Sequence, residues 1–353
     1  MIKEGIQQLV ERKNLTSEET AQIMKEIMSG EATSAQISAF LTALRMKVET
    51  IGEVTSLIQV MKQFAIKIKP NVTGRILDIV GTGGDKIKTV NVSTTAAIVA
   101  AGAGATVAKH GNRSFTSKCG SADILERFGV NISAKPSLVK KSIETIGIGF
   151  LFAPVYHPAM KYVVAPRREI GVRTVFNILG PLTNPAEADA LLVGVYDLHL
   201  VKPVANVLAK LGLIEALVVH GLDGLDEIST IGKTSAAWMK QGKVKTTQFL
   251  PNDFGVKQAK LEELIGNNVD ENAKIIFRML NGHIKENDSL KELVLVNAAA
   301  GMVVAGLAGN LIEGMSLARK SIVSGDAYGK LQSMVNASDG DKSKLKELES
   351  RFC

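Results

Sequence analysis

Four stretches of this chain concentrate groups that handle anions or metals. The first is Gly81-Thr82-Gly83-Gly84-Asp85, followed by Thr89-Val90-Asn91-Val92-Ser93-Thr94-Thr95. Three glycines in four positions let the backbone turn tightly and bring amides close to a ligand. The hydroxyls of Ser93, Thr94 and Thr95 fall where a helix start presents free N–H groups and its positive dipole end. Together these make a phosphate cradle or, on local grounds alone, a glycine-rich turn before a capped helix. No Lys-Ser/Thr closes the loop as in a P-loop, and Lys86 breaks the dinucleotide fingerprint. Asp85 suits a sugar hydroxyl or a phosphate-bound cation better than a phosphate.

The second stretch runs from Lys109-His110-Gly111-Asn112-Arg113 to Ser121. Two Lys, one Arg, one His, one Asn and four hydroxyls fall within thirteen residues. It reads as an anion site or as a basic surface loop, with Ser121 expected to cap the next helix. His110 carries no expected proton transfer. The third is Gly221–Glu227, where Asp223, Asp226 and Glu227 put three carboxylates in five residues. Adjacent Asp226 and Glu227 suit Mg²⁺ bridging phosphates; in isolation the segment is a solvated acidic turn. The fourth leads from His157-Pro158 through Arg167-Arg168 to Phe176–Pro185. Paired arginines can fork a carboxylate or cover surface. Neither C-x-x-C, H-E-x-x-H nor G-x-S-x-G occurs, so neither a zinc site nor a covalent nucleophile is expected.

Elements that place these turns can be read from periodicity. The first seventy or so residues read as helical, ending near Lys69-Pro70. Thr16 with Glu19, Thr33 with Gln36 and Thr50 with Glu53 form capping boxes. Ile37, Phe40, Leu41 and Leu44 share one helical face, as do Val54, Leu57, Ile58 and Met61. Beyond them, strands are expected at Arg75–Val80, Ala105–Ala108, Gly147–Phe152, Ala190–Val195 and Ala216–His220. Helices are expected at Ser93–Ala101, Ser121–Phe128, Pro136–Ile146 and Leu200–Leu211. Alternation of this kind implies an α/β sheet of mainly parallel strands flanked by helices. Ligands then gather beyond the carboxyl ends of the strands.

Composition sets the outer bounds. With 353 residues, 46% apolar and 22% charged, the chain is neither disordered, collagenous nor a coiled coil. The net charge of +7 suits anionic small molecules. It also raises a nucleic-acid reading, which scarce aromatics argue against. Cys119 and Cys353 make no disulfide framework, so a reducing cytoplasm is expected. No signal peptide or membrane span is expected.

In their order, GTGGD (81–85), NVST (91–94), KHGNR (109–113), GSAD (120–123), HPAM (157–160), FNILGPLTNP (176–185) and GLDGLDE (221–227) closely resemble the anthranilate phosphoribosyltransferase family. The resemblance implies transfer of the phosphoribosyl group of phosphoribosyl pyrophosphate to the amine of anthranilate. That is the second step from chorismate to tryptophan. It implies Mg²⁺, a homodimer, and a small all-helical domain (1–70 and about 158–188) against a large α/β domain (71–157 and about 189–353). Matching positions imply that Gly81, Gly84, Asp85, Thr89, Asn91, Val92, Ser93, Thr94, Lys109, Ser117 and Ser121 bind phosphoribosyl pyrophosphate. Ser93, Asp226 and Glu227 would hold the metal. Gly81, Asn112 and Arg167 would hold anthranilate, with His110 and Gly180-Pro181 lining its channel. Lys109, Asp226 and Glu227 would act by positioning and electrostatics. Phe115, Thr116 and Cys119 depart from the small residues and serines usual there. The competing readings are a pyrimidine nucleoside phosphorylase, which has no obvious use for Asp226-Glu227, and a nucleic-acid-binding relative without catalysis.

Overall fold

The computed structural model describes residues 1–83, 87, 89–114 and 119–352. Four helices open the chain: α1 (Ile2–Val10), α2 (Ser17–Ser29), α3 (Ser34–Lys47) and α4 (Ile51–Gln63). All three capping boxes form, at the starts of α2, α3 and α4. The two apolar faces read from the sequence meet in one cluster, with Phe40, Leu44, Leu57 and Ile58 almost wholly buried. The bundle stops short of Lys69-Pro70. After Gln63 the chain becomes extended, with Ile66 N–H donating to Tyr156 O at 2.8 Å and Ile68 N–H to Pro185 O at 3.1 Å. Ala65-Ile66-Lys67-Ile68-Lys69 has period two, not 3.6, which accounts for the difference.

Seven strands make one sheet, in the order β3-β2-β1-β4-β5-β6-β7. They are β1 (Ile76–Gly81), β2 (Thr106–Gly111), β3 (Ile148–Phe152), β4 (Ala190–Gly194), β5 (Glu215–Gly221), β6 (Thr234–Lys240) and β7 (Lys243–Phe249). The first five pair in parallel and the last two antiparallel. The five expected strands are all present, with ends moved by no more than three residues. The β6–β7 hairpin was not expected. It turns through Gln241-Gly242, both at positive φ (49° and 75°), as a two-residue hairpin requires. Its outer strand is lysine-rich and largely exposed, so it lacks the apolar run that marked the others.

The remaining helices are α5 (Val92–Gly102), α6 (Ser121–Arg127), α7 (Pro136–Ile146), α8 (Ala153–Tyr156), α9 (Lys161–Ile170), α10 (Phe176–Leu179), α11 (Val201–Lys210), α12 (Val269–Leu280), α13 (Ser289–Val304), α14 (Leu311–Val323), α15 (Asp326–Ala337) and α16 (Lys342–Phe352). They cover both faces of the sheet, as parallel strands demand. Leu77, Ile79, Leu192 and Leu217 point to α5 and α13. Val80, Leu191, Val193 and Val218 alternate to the other face and share a core with the helical bundle and α11. Val163, Phe176 and Leu179, from α9 and α10, join that same cluster. The chain therefore returns to the bundle after β3. Among the described residues no helix is long and apolar enough to cross a membrane.

Candidate active site

β1 is flanked by β2 on one side and β4 on the other, so the sheet's connection order switches there. A crevice opens beyond the carboxyl ends of strands at such a point. Both strands end in glycine, and the acidic turn lies across them. A Cβ on Gly194 would stand 1.5 Å from the Asp226 carbonyl oxygen, and one on Gly81 2.8 Å from Asp226 Oδ2. Only bare backbone admits the turn so closely. Gly83 N–H donates to Asp226 Oδ2 at 2.8 Å. From behind, Asn297 of α13 accepts from Ile228 N–H at 2.9 Å and donates to Ile228 O at 3.0 Å. Asp226 and Glu227 are thus buried yet border the cavity. The third carboxylate serves the turn itself, since Asp223 accepts from Leu225 N–H and the Ser229 hydroxyl.

The crevice holds a cavity of about 700 Å³ between the sheet and the 153–181 segment. Gly81, Thr89, Asn91, Val92, Ser93, Thr94, Lys109, His110, Asn112, Ser121, Arg167, Gly180, Pro181, Asp226 and Glu227 all line it. Gly84, Asp85 and Ser117 lie outside the described residues, as do Phe115 and Thr116.

The start of α5 is built differently from the sequence expectation. Thr95 is fully buried, and its hydroxyl donates to Asn91 O at 2.9 Å, so it faces the helix rather than a ligand. Ser93 and Thr94 do reach the cavity. No side chain caps α5, which leaves its first-turn amides and dipole end to an anion. Asn91 instead clamps the neighbouring loop: its Nδ2 donates to Cys119 O at 3.1 Å, and its Oδ1 accepts from Cys119 Sγ at 3.1 Å. Ser121 is not the cap of α6. That place belongs to Gly120, whose N–H donates to Asp123 Oδ2 at 2.8 Å. Ser121 Oγ binds back to Asn112, accepting from its N–H at 3.2 Å and donating to its carbonyl at 3.1 Å.

Charge inside the site is tightly held. Lys109 is buried and donates to Ile79 O at 2.7 Å. Burial lowers its pKa, against the pull of Asp78 and Glu227. Asp78, wholly buried in β1, accepts from His110 N–H at 3.2 Å and from Asn184 Nδ2 at 2.7 Å. Burial pushes its carboxyl up to about 6, with Lys109 opposing. His110 and His157 face each other with ring centroids 5.2 Å apart. The Nε2 atoms of both are buried without a hydrogen-bond partner among the described residues. Burial holds His110 well below the usual imidazole range and takes His157 down to about 4. Both rings are therefore neutral at pH 7, and neither is poised as a base.

The opposite wall carries long cations: Lys161, Arg167 and Arg168 of α9, and Arg173 beyond it. The Arg167 guanidinium lies 5.4 Å from the Phe176 ring centroid, and burial lowers its pKa. The Arg173 guanidinium lies 4.4 Å from the Tyr196 ring centroid. Lys161, Arg173, Asn267 and Asn272 line the cavity but were not expected there. The first two extend a basic cluster visible in the sequence around Arg167-Arg168. The asparagines follow the hairpin that periodicity did not reveal.

Residues 73–328 match the glycosyl transferase family α/β domain, and residues 3–65 match its helical bundle domain. Anthranilate phosphoribosyltransferase of Persephonella marina is 47% identical over 340 residues, covering 96% of this chain and 100% of that protein. The crystal structure of anthranilate phosphoribosyltransferase from Thermus thermophilus superposes with a TM-score of 0.89 at 41% identity, covering 95% of this chain and 99% of that one. The Saccharomyces cerevisiae enzyme in complex with PRPP and Mg superposes with a TM-score of 0.87 at 30% identity, covering 96% and 98%.

Proposed function

The chain belongs to the anthranilate phosphoribosyltransferases of the glycosyl transferase family, and on that premise we propose how its residues divide the work. The reaction transfers the 5-phosphoribosyl group of phosphoribosyl pyrophosphate to the amine of anthranilate, releasing pyrophosphate. The observation that carries the assignment of roles is one cavity with a phosphate-cradle wall and an arginine wall.

On the cradle wall, Gly81 and the first-turn amides of α5 meet the phosphates, while the Gly83 N–H holds Asp226 in place. Thr89, Asn91, Ser93, Thr94 and Ser121 add neutral donors. Lys109 supplies a cation held in place by Ile79 O. Gly84, Asp85 and Ser117 belong to the same group by their place in the motifs. Asp226 and Glu227 fit Mg²⁺: they are hard oxygen donors, adjacent, and border the same cavity as the uncapped helix start. No group of three His, Cys, Asp or Glu suited to a metal occurs among the described residues. Ser93, substrate oxygens and water would therefore complete the shell. When bound, the metal neutralises charge that develops on the pyrophosphate as its bond to C1 breaks.

On the arginine wall, Arg167 receives the anthranilate carboxylate. Asn112 and Gly81 bound the acceptor site, with His110 and Pro181 along its approach. Anthranilate's aromatic amine is unprotonated at neutral pH, so it needs placement rather than a strong base. The buried neutral imidazoles suit such placement, because they exclude water without adding charge. Electrostatic stabilisation of the leaving group and orientation of the amine carry the rate.

The returning segment 158–188 belongs with the helical bundle in this reading, supported by the core it shares with α2–α4. A cytoplasmic homodimer is part of the same proposal. Exposed Val10 and Met46 on the bundle support an interface, which light scattering would test. The test of function is anthranilate fluorescence. Loss that needs phosphoribosyl pyrophosphate and Mg²⁺ together is expected; a flat trace from folded protein would overturn the reading.

A further inference from the structure

The cradle wall has a part that no motif marked. After β7 the chain returns to the cavity at residues 264–268, just before α12. Gly266 packs on the cradle itself: a Cβ there would lie 2.4 Å from Thr89 O and 2.7 Å from Val90 N. The next residue, Asn267, lines the cavity together with Thr89, Asn91 and Cys119. Its side-chain amide makes no hydrogen bond among the described residues. Its backbone, by contrast, is fixed: Asn267 N–H donates to Asn272 Oδ1 at 2.8 Å. Asn272 is only 2% exposed and also lies within hydrogen-bonding reach of the Cys119 thiol. Cys119 in turn is clamped to Asn91. One buried amide thus ties three loops around the same end of the cavity.

We propose that Asn267 is a further contact to phosphoribosyl pyrophosphate, and that Asn272 is its positioning residue. This rests on the reading of the cradle wall as the phosphoribosyl pyrophosphate site. The chemistry favours an amide here. Asn offers two N–H donors to phosphate or ribose oxygens without adding charge, and Lys109 and the metal already supply positive charge. The close approach at Gly266 sets the distance of Asn267 from Thr89, and the Asn272 acceptor sets its direction. Neither asparagine lies near Arg167 in the site's division of labour, so the acceptor should not feel their loss.

The experiment is steady-state kinetics on Asn267→Ala and Asn272→Ala, with calorimetric titration of phosphoribosyl pyrophosphate and Mg²⁺ and a thermal melt of each protein. Asn267 is exposed, so its truncation leaves the fold intact. Asn267→Ala should raise both the KM and the Kd for phosphoribosyl pyrophosphate by about tenfold, with the anthranilate KM and the melting temperature unchanged. Asn272→Ala should raise the same KM at least as much. The double variant should be no worse than the poorer single one, because the two act as a unit. An unchanged KM and Kd in Asn267→Ala, with wild type active, overturns the inference alone. A lowered melting temperature in Asn272→Ala with both KM values unmoved reduces that residue to structure and also overturns it. A wild type that neither turns over nor binds phosphoribosyl pyrophosphate overturns this inference together with the functional reading.

Discussion

The two walls of the cavity are made in different ways. The cradle wall is mostly backbone and short side chains, each fixed by neighbouring strands or by α5 and α13. Gly194 and Gly81 leave so little room that the acidic turn has one place to sit. The opposite wall is made of long cations on short helical pieces, with Pro166 inside α9 and Pro181 just after α10. A rigid, backbone-built surface suits phosphates, whose oxygens must be met by many donors at set distances. A single guanidinium suits a carboxylate, which needs one forked partner. Damage to the first wall should therefore reach the chemistry, whereas damage to the second should reach acceptor binding.

The largest effect should come from the cradle wall. Replacing Asp226 and Glu227 together by Ala should lower kcat on the order of 100-fold or more. Activity that remains metal-dependent and undiminished in that variant would break the comparison at once.

Next in size is the seam between the walls, where His110 on β2 meets His157 ahead of α9. His157 is 4% exposed and its pKa falls from 6.5 to about 4 on folding. A depressed pKa contributes stability that is complete above the unfolded value and lost as pH falls through the folded one. Between about pH 6.5 and 4 that loss is on the order of 3 kcal/mol for His157, and His110 acts in the same direction. Asp78 acts in the opposite direction: its raised pKa contributes stability that is lost as pH rises from 3.8 to about 6. Urea unfolding of wild type and His157→Asn isolates the histidine. The variant should gain on wild type as pH drops from 7 to 4.5, and parallel curves would contradict neutral burial.

Arg167→Ala should raise the anthranilate KM roughly 10- to 100-fold, the worth of a charge-assisted fork. A kcat that falls as far as the KM rises would show that the two walls do not divide the work. The smallest effect lies outside both. Val48, 66% exposed between α3 and α4, has φ 75° and ψ 123°, where a β-branched residue is strained. Val48→Gly should raise stability by about 1 kcal/mol and leave both KM values alone, as thermal melts and kinetics would show.

The same contrast governs how much was legible in the sequence. The capping boxes and the five parallel strands rest on local rules, and they formed as read. Asp226 and Glu227 read locally as a wet turn, because Gly194, which lets them fold inward, lies some thirty residues away. Ser121 resembled a cap because a hydroxyl opens the helix there, but its Oγ is taken by the backbone of Asn112, a contact made by the fold of the preceding loop. The β6–β7 hairpin escaped because an exposed edge strand needs no apolar run, and Asn267 and Asn272 escaped with it. Lys161 and Arg173 were visible as charge, but charge alone does not tell a cavity wall from a wet face.

The division between walls is tested most directly by calorimetry on Arg167→Ala, titrated with phosphoribosyl pyrophosphate and Mg²⁺ in the absence of anthranilate. If every contact to that substrate lies on the cradle wall, its Kd should stay within about twofold of wild type, far below the shift that losing a charged fork would cause. A Kd weakened tenfold or more would place phosphoribosyl pyrophosphate on the arginine wall and contradict the division.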